Sequence, residues 1–214
     1  MKLLAHISDD KTRTQTIEEH LTSTAALAGN FAAAFGAQAE AAYTALLHDI
    51  GKYSVGFQQR LQGGPPVDHS TAGAKAAIQD GNIPAALAIA GHHSGIPDLG
   101  NPHDTADEST LVGRSKRRIE DCSQWKQEIS PAKAALPPWL LRQPDNLTMA
   151  FFTRMLYSSL VDADFIDTET FMDGKAAPRG SGTDIAALRD IVSAQAQRYL
   201  RAESPSPVSV QRNI

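Results

Sequence analysis

The pair His48-Asp49, at the end of an alanine-rich apolar segment and followed by Ile50-Gly51-Lys52, constrains this chain more than any other feature. A helix over roughly 37–47 delivers both side chains at its C-terminal end, and Gly51 then permits the chain to turn. An aspartate placed there needs partners if it is to be buried. The fold must therefore bring partners from elsewhere in the chain. His20 lies upstream, and His69, His92, His93 and Asp164 lie downstream. Imidazole nitrogen and carboxylate oxygen both suit divalent transition ions, and a carboxylate has two oxygens with which to bridge a pair of them.

Hydrophobic periodicity points to an all-α helical bundle. Thr16 followed by Glu19 is a capping-box pattern, and Ile17, Leu21, Ala25, Ala28, Phe31 and Phe35 continue one apolar face with His20 beside it. A short segment over 53–61 ends in the loop Gly63-Gly64-Pro65-Pro66. Asp68 or Ser70 opens the next helix and Gly81 closes it, while Pro84 suits the first turn of another, ending near His93. The stretch 94–108 reads as a loop, 109–128 as a weakly amphipathic helix, and 131–144 as irregular. The longest helix is expected over 146–166 and a last one over 184–202, with Ile185, Leu188, Val192, Ala196 and Tyr199 on one face. A short hairpin would be a minor feature. The expected organisation is a single domain over residues 1–203, with 204–214 a linker or the start of a truncated further region.

With 24 acidic against 20 basic residues, the chain carries a formal charge of −4, which argues against holding nucleic acid mainly through a basic surface. It does not exclude a nuclease, because bound cations would reverse the local field. The single cysteine, Cys122, fits a reducing cytoplasm, the opening residues do not form a signal-peptide core, and no apolar run approaches a membrane span. A cytoplasmic protein with no membrane partner is the expectation.

The candidate ligands are nitrogen and oxygen only, which disfavours a structural zinc site and favours a catalytic site for manganese, magnesium, nickel, cobalt or iron. Two ions about 3.5–4 Å apart, bridged by Asp49, would acidify a shared water and clamp both oxygens of a displacement at phosphorus. Lys52 is placed to contact a non-bridging phosphate oxygen. Neighbouring helical side chains diverge by about 100°, so His92-His93 can present two nitrogens to a cleft. Asp164 lies in line with Phe152, Leu156 and Leu160, and is preferred to Asp162 as the distal ligand. Asp167 and Glu169 read as helix-end polar residues, and His6 and His103 as surface positions. Arg114, Lys116, Arg117 and Arg118 read as a solvated helix face with a nucleic-acid alternative, and Trp125 and Trp139 as packing residues. These residues together point to a metal-dependent phosphodiesterase.

With these residues in view, the chain resembles the HD nuclease domain of the CRISPR-associated helicase-nuclease of type I systems. The resemblance rests on Glu19-His20-Leu21, Leu47-His48-Asp49-Ile50-Gly51-Lys52, Phe57-Gln58 and Asp68-His69-Ser70 with Gly73-Ala74. It continues in Gly91-His92-His93 with Gly95-Ile96-Pro97-Asp98, and in Val161-Asp162-Ala163-Asp164. It implies a helical HD-superfamily fold with a two-metal site that cuts single-stranded DNA. It also implies a superfamily 2 helicase, in the same or a separate chain, and a CRISPR surveillance complex as partners. Residues 208–214 look like the opening of such a helicase region. On this resemblance His20, His48, Asp49 and Asp164 hold one ion. His69, His92 and His93, with Asp49 bridging, hold the second, and Asp49 and Lys52 are the catalytic pair. The alternatives are an HD phosphohydrolase acting on nucleotides or cyclic dinucleotides, and a non-catalytic docking module.

Overall fold

The computed structural model of the protein describes residues 2–142, 145–176, 179–180 and 184–200. An antiparallel hairpin of β1 (Leu4–Ile7) and β2 (Thr14–Thr16) opens it. Helix α1 (Ile17–Ala32) starts at the expected capping box, in which Thr16 Oγ1 accepts from Glu19 N at 3.2 Å and the Glu19 carboxylate accepts from Thr16 N at 2.9 Å. Two donors left open by the helix start are thereby satisfied. The buried stripe of α1 runs through Ile17, His20, Leu21, Ala28 and Ala32, which leaves Phe31 on its margin, 39% exposed rather than inward as the periodicity predicts.

Helix α2 (Gln38–Leu47) is followed by a 3₁₀ turn over Ile50–Tyr53, α3 (Val55–Arg60), α4 (Ser70–Gln79) and α5 (Ile83–Gly91). Asp68 Oδ1 accepts from Thr71 N at 3.1 Å at the start of α4, Gly81 turns the chain with φ 77°, and Asn82 caps α5 with Pro84 in its first turn. Then come α6 (Leu111–Lys116), α7 (Trp125–Glu128), α8 (Pro138–Arg142) and α9 (Asn146–Asp173). Helix α1 packs on α2 and α9, α4 packs on α5, and α5 meets α9. Buried alanines such as Ala28, Ala45, Ala74 and Ala88 let these helices approach closely. Tyr43, Leu47, Ile89, Phe152, Leu156 and Leu160 fill the centre, each full burial contributing about 1.5–3 kcal/mol.

Glycines set how near the elements come to the His48-Asp49 corner. Gly51 does not serve as a left-handed turn; a Cβ there would run into the backbone of His69. Likewise a Cβ on Gly73 would collide with Leu47 O and press on Ile89. Gly73→Ala must push α4 off the end of α2. Urea denaturation of that variant is expected to show a loss of about 3 kcal/mol or more, the upper end for an overpacked core.

Three stretches depart from the sequence expectation. Residues 109–128 form two short helices, because Lys116 turns back to bond Pro102 O and Asp104 O, and Arg117 bonds Ala106 O and Asp68. With Arg114 donating to Ser70 Oγ, most of this basic cluster ties down a loop and is not a solvated helix face. The stretch 131–144 contains α8, where Trp139 Nε1 donates to Phe35 O at 2.8 Å. Helix α9 runs past Ile166 to Asp173, and Arg13 of the hairpin donates to its last carbonyls, Phe171 O and Met172 O, at 2.7 and 2.8 Å.

The chain divides into two compact units, Met1–Ala176 and Ala177–Ile214. In the second, α10 (Ile185–Leu200) is the described helix. The proposed boundary at 203/204 and the tail 208–214 lie outside the described residues. Among the described residues no helix is long and apolar enough to cross a membrane.

Candidate metal centre

Five histidines and two aspartates converge from α1, the ends of α2 and α5, the start of α4, and α9. Asp49 lies between two groups, and each of its oxygens faces one of them. Oδ2 is 3.4 Å from His20 Nε2 and 3.3 Å from His48 Nε2, and Oδ1 is 3.5 Å from His69 Nε2 and 3.4 Å from His92 Nε2. Asp164 Oδ1 completes the first group, 3.4 Å from His20 Nε2, and His93 Nε2 completes the second, 2.8 Å from His69 Nε2. Within each group the ligand atoms all lie within 4.8 Å of one another. Asp164 continues the buried Phe152, Leu156, Leu160 stripe of α9, whereas Asp162 is exposed.

The donor set fits divalent cations. Separations of 3.3–3.5 Å are long for hydrogen bonds, and buried His20 Nε2, His48 Nε2, His92 Nε2 and Asp49 Oδ1 have no hydrogen-bond partner. Leaving such atoms unsatisfied is costly unless a cation takes them up. Ligand atoms about 2.1 Å from a common ion stand about 3.0–3.4 Å apart, and the Asp49 contacts of 3.3–3.5 Å are close to that spacing.

Local structure aims the rings. His48 and His92 cap the C-terminal ends of α2 and α5, and each donates Nδ1–H to the carbonyl three residues back, Ala45 O at 2.7 Å and Ile89 O at 2.8 Å. His69 donates Nδ1–H to Val67 O, two residues back, at 3.1 Å. A carbonyl only accepts, so Nδ1 carries a proton and Nε2 faces the centre, where its lone pair is given to a cation once any second proton leaves. Carbonyls in the last turns of α2 and α5 thus orient the rings of His48 and His92.

His20 is oriented differently, and here the sequence reading is corrected. Asp167, expected at a helix end, is buried. Its Oδ2 accepts from His20 Nδ1 at 2.7 Å and from Gln15 Nε2 at 2.9 Å. It lies three residues beyond Asp164 on the same face of α9, a spacing that would have found it had the helix been extended past Ile166. Asp167→Ala is expected to weaken Mn²⁺ binding roughly 10- to 100-fold by calorimetry while helicity persists, because His20 loses the partner that fixes its tautomer.

His6, expected on the surface, is a second correction. It is half-buried, its ring is 4.8 Å from that of His20, and its Nε2 is 3.2 Å from Lys52 Nζ. Lys52 is itself only 4% exposed and stands 2.7 Å from Asp49 Oδ2. His103 is exposed, as expected.

The electrostatics call for positive charge. Burial works against the charged form of His48, but the carboxylates of Asp49 and Asp164 outweigh it and push its pKa up to about 10. His20 is raised in the same way against its burial, by Asp164, Asp167 and Asp49. Burial alone would raise Asp49 and Asp164, yet the neighbouring cations hold both well below the usual carboxylate range. Burial lowers His6 to about 3, with Lys52 adding to it, and the partial burial of the His93 ring against His69 and His92 lowers it to about 4, helped by the charge of His92. The rim is more open than the floor: His93 is exposed and His69 and Asp164 are half-buried, while His20, His48, Asp49 and His92 are buried.

The family model described as HD domain matches residues 17–124, just over half of the chain. The chain belongs to the HD domain family. The match spans His20, His48, Asp49, His69, His92 and His93, and Asp164 is supplied from α9 beyond it. HD domains are metal-dependent phosphohydrolases that bind divalent ions, and both ligand groups here are compatible with that chemistry. No curated protein matches the chain.

Proposed function

We propose that this HD domain is a two-metal phosphodiesterase that cuts single-stranded DNA, the nuclease part of a CRISPR helicase-nuclease. The observation that carries the reading is the division of Asp49, one oxygen toward His20 and His48 and the other toward His69 and His92. His20, His48, Asp49 and Asp164 would hold one cation, and Asp49, His69, His92 and His93 the other. When bound, the cations supply Lewis acidity toward phosphoryl oxygens and acidify water. The chain's own groups do the rest. Nδ1 hydrogen bonds orient His20, His48, His69 and His92, burial keeps bulk water from the floor, and Lys52 adds a positive charge beside the centre. The exposed rim at His93 suits a polymer approaching from solvent.

Two motif residues outside the ligand set support the reading. The Phe57 ring packs 5.2 Å from that of His69, and Gly73 permits the contact between α4 and the end of α2. On this reading the strand-feeding partner is a superfamily 2 helicase and the recruiting partner a CRISPR surveillance complex. The test is a substrate panel with Mn²⁺ and a chelator control. Cleavage of single-stranded DNA in preference to duplex DNA, nucleotides and cyclic dinucleotides is expected. Turnover of nucleotides alone would replace the nuclease reading with that of a small-substrate phosphohydrolase.

A further inference from the structure

We infer that His6 is a positioning residue that draws the Lys52 ammonium off Asp49 Oδ2 and so opens that oxygen to a divalent cation. The inference rests on the reading of Asp49 as a metal ligand. An ammonium has three donors and no lone pair, so its 3.2 Å contact with His6 Nε2 is an N–H donated to the ring nitrogen. Lys52 therefore has two partners, Asp49 Oδ2 in an ion-pair contact at 2.7 Å and His6 Nε2 as hydrogen-bond acceptor, with the face of Phe57 5.4 Å away. The oxygen it touches is the one turned toward His20 and His48, so ammonium and cation compete for the same lone pairs.

Lys52 is buried, and a buried charge that loses its partner is strongly destabilised. It leaves Asp49 readily only if another acceptor takes it. The fold fixes that acceptor in place. Gln58 Nε2 donates to both Leu4 O and Lys52 O at 2.9 Å, and its Oε1 accepts from Leu4 N at 3.1 Å, which ties strand β1 to the turn carrying Lys52. Arg13 and Gln15 fasten the same hairpin to α9. The hairpin thus holds His6 against Lys52 from outside the helical core.

The test is a double-mutant cycle read by Mn²⁺ calorimetry, with far-UV circular dichroism to verify folding. His6→Ala is expected to weaken Mn²⁺ binding about tenfold, because Lys52 stays on Asp49. In the Lys52→Ala background the same change should alter affinity less than about twofold, since the competitor is gone. His6→Gln, whose amide oxygen accepts, should recover most of the affinity. His6→Phe, which keeps a ring but not the acceptor, should repeat the loss if His6→Ala does not fold. Equal losses with and without Lys52, or no loss in His6→Ala and His6→Phe, would overturn the inference. A wild-type protein that binds no Mn²⁺ would overturn it together with the metal reading, whereas strong wild-type binding with an additive cycle would overturn it alone.

Discussion

Asp49→Ala is expected to abolish hydrolysis, lowering kcat by about 10³-fold or more, and to remove both cations at once. The reason is geometric. Its two oxygens face different histidine groups, so no other single side chain of the centre is shared between them. His48→Ala or His93→Ala takes one ligand from one group and should leave the other able to bind. Calorimetric stoichiometry separates these cases: near zero Mn²⁺ for Asp49→Ala, an intermediate value for the single-group variants. Asp162→Ala is the control, since that side chain is exposed on α9. Wild-type turnover by re-metallated Asp49→Ala would contradict the mechanism.

The second large effect is a pH dependence that differs between the two groups. His48, pushed up to about 10, holds a proton at neutral pH that a cation must displace, and His20 is raised in the same direction by the carboxylates around it. Below the raised pKa each displaced proton weakens apparent affinity about tenfold per pH unit lost. Binding to the His20–His48–Asp164 group should therefore tighten steadily from pH 6 to pH 8. His69 is lowered by burial and His93 to about 4, so neither has a proton to release above pH 7, and the second group should respond less. Mn²⁺ titrations at pH 6, 7 and 8 in buffers of different ionisation enthalpy count the protons released. Two steps with the same slope would refute this assignment of charge.

Much of this side-chain cluster was legible in the sequence because its candidate ligands follow strong local signals. His48-Asp49 and His92-His93 end apolar helices, His20 sits beside the α1 stripe after a capping box, and Asp164 continues Phe152, Leu156 and Leu160. What escaped lies where periodicity is weak or was stopped early. The helix ending at Ile166 hid Asp167, although its spacing from Asp164 matches one helical face. A four-residue strand carries too little pattern to show that His6 faces inward. Lys52 read as a phosphate contact, and its ion pair with Asp49 depends on a tertiary corner that no local rule specifies. Gly51 read as a turn and serves close approach to His69, a contact visible only once the two segments meet.

The bridging role of Asp49 is tested most directly by anomalous scattering from Mn²⁺-soaked crystals. Two peaks flanking the Asp49 carboxylate are predicted, one beside His20, His48 and Asp164 and the other beside His69, His92 and His93. Density at one group alone, or ions bound away from Asp49, would contradict the account.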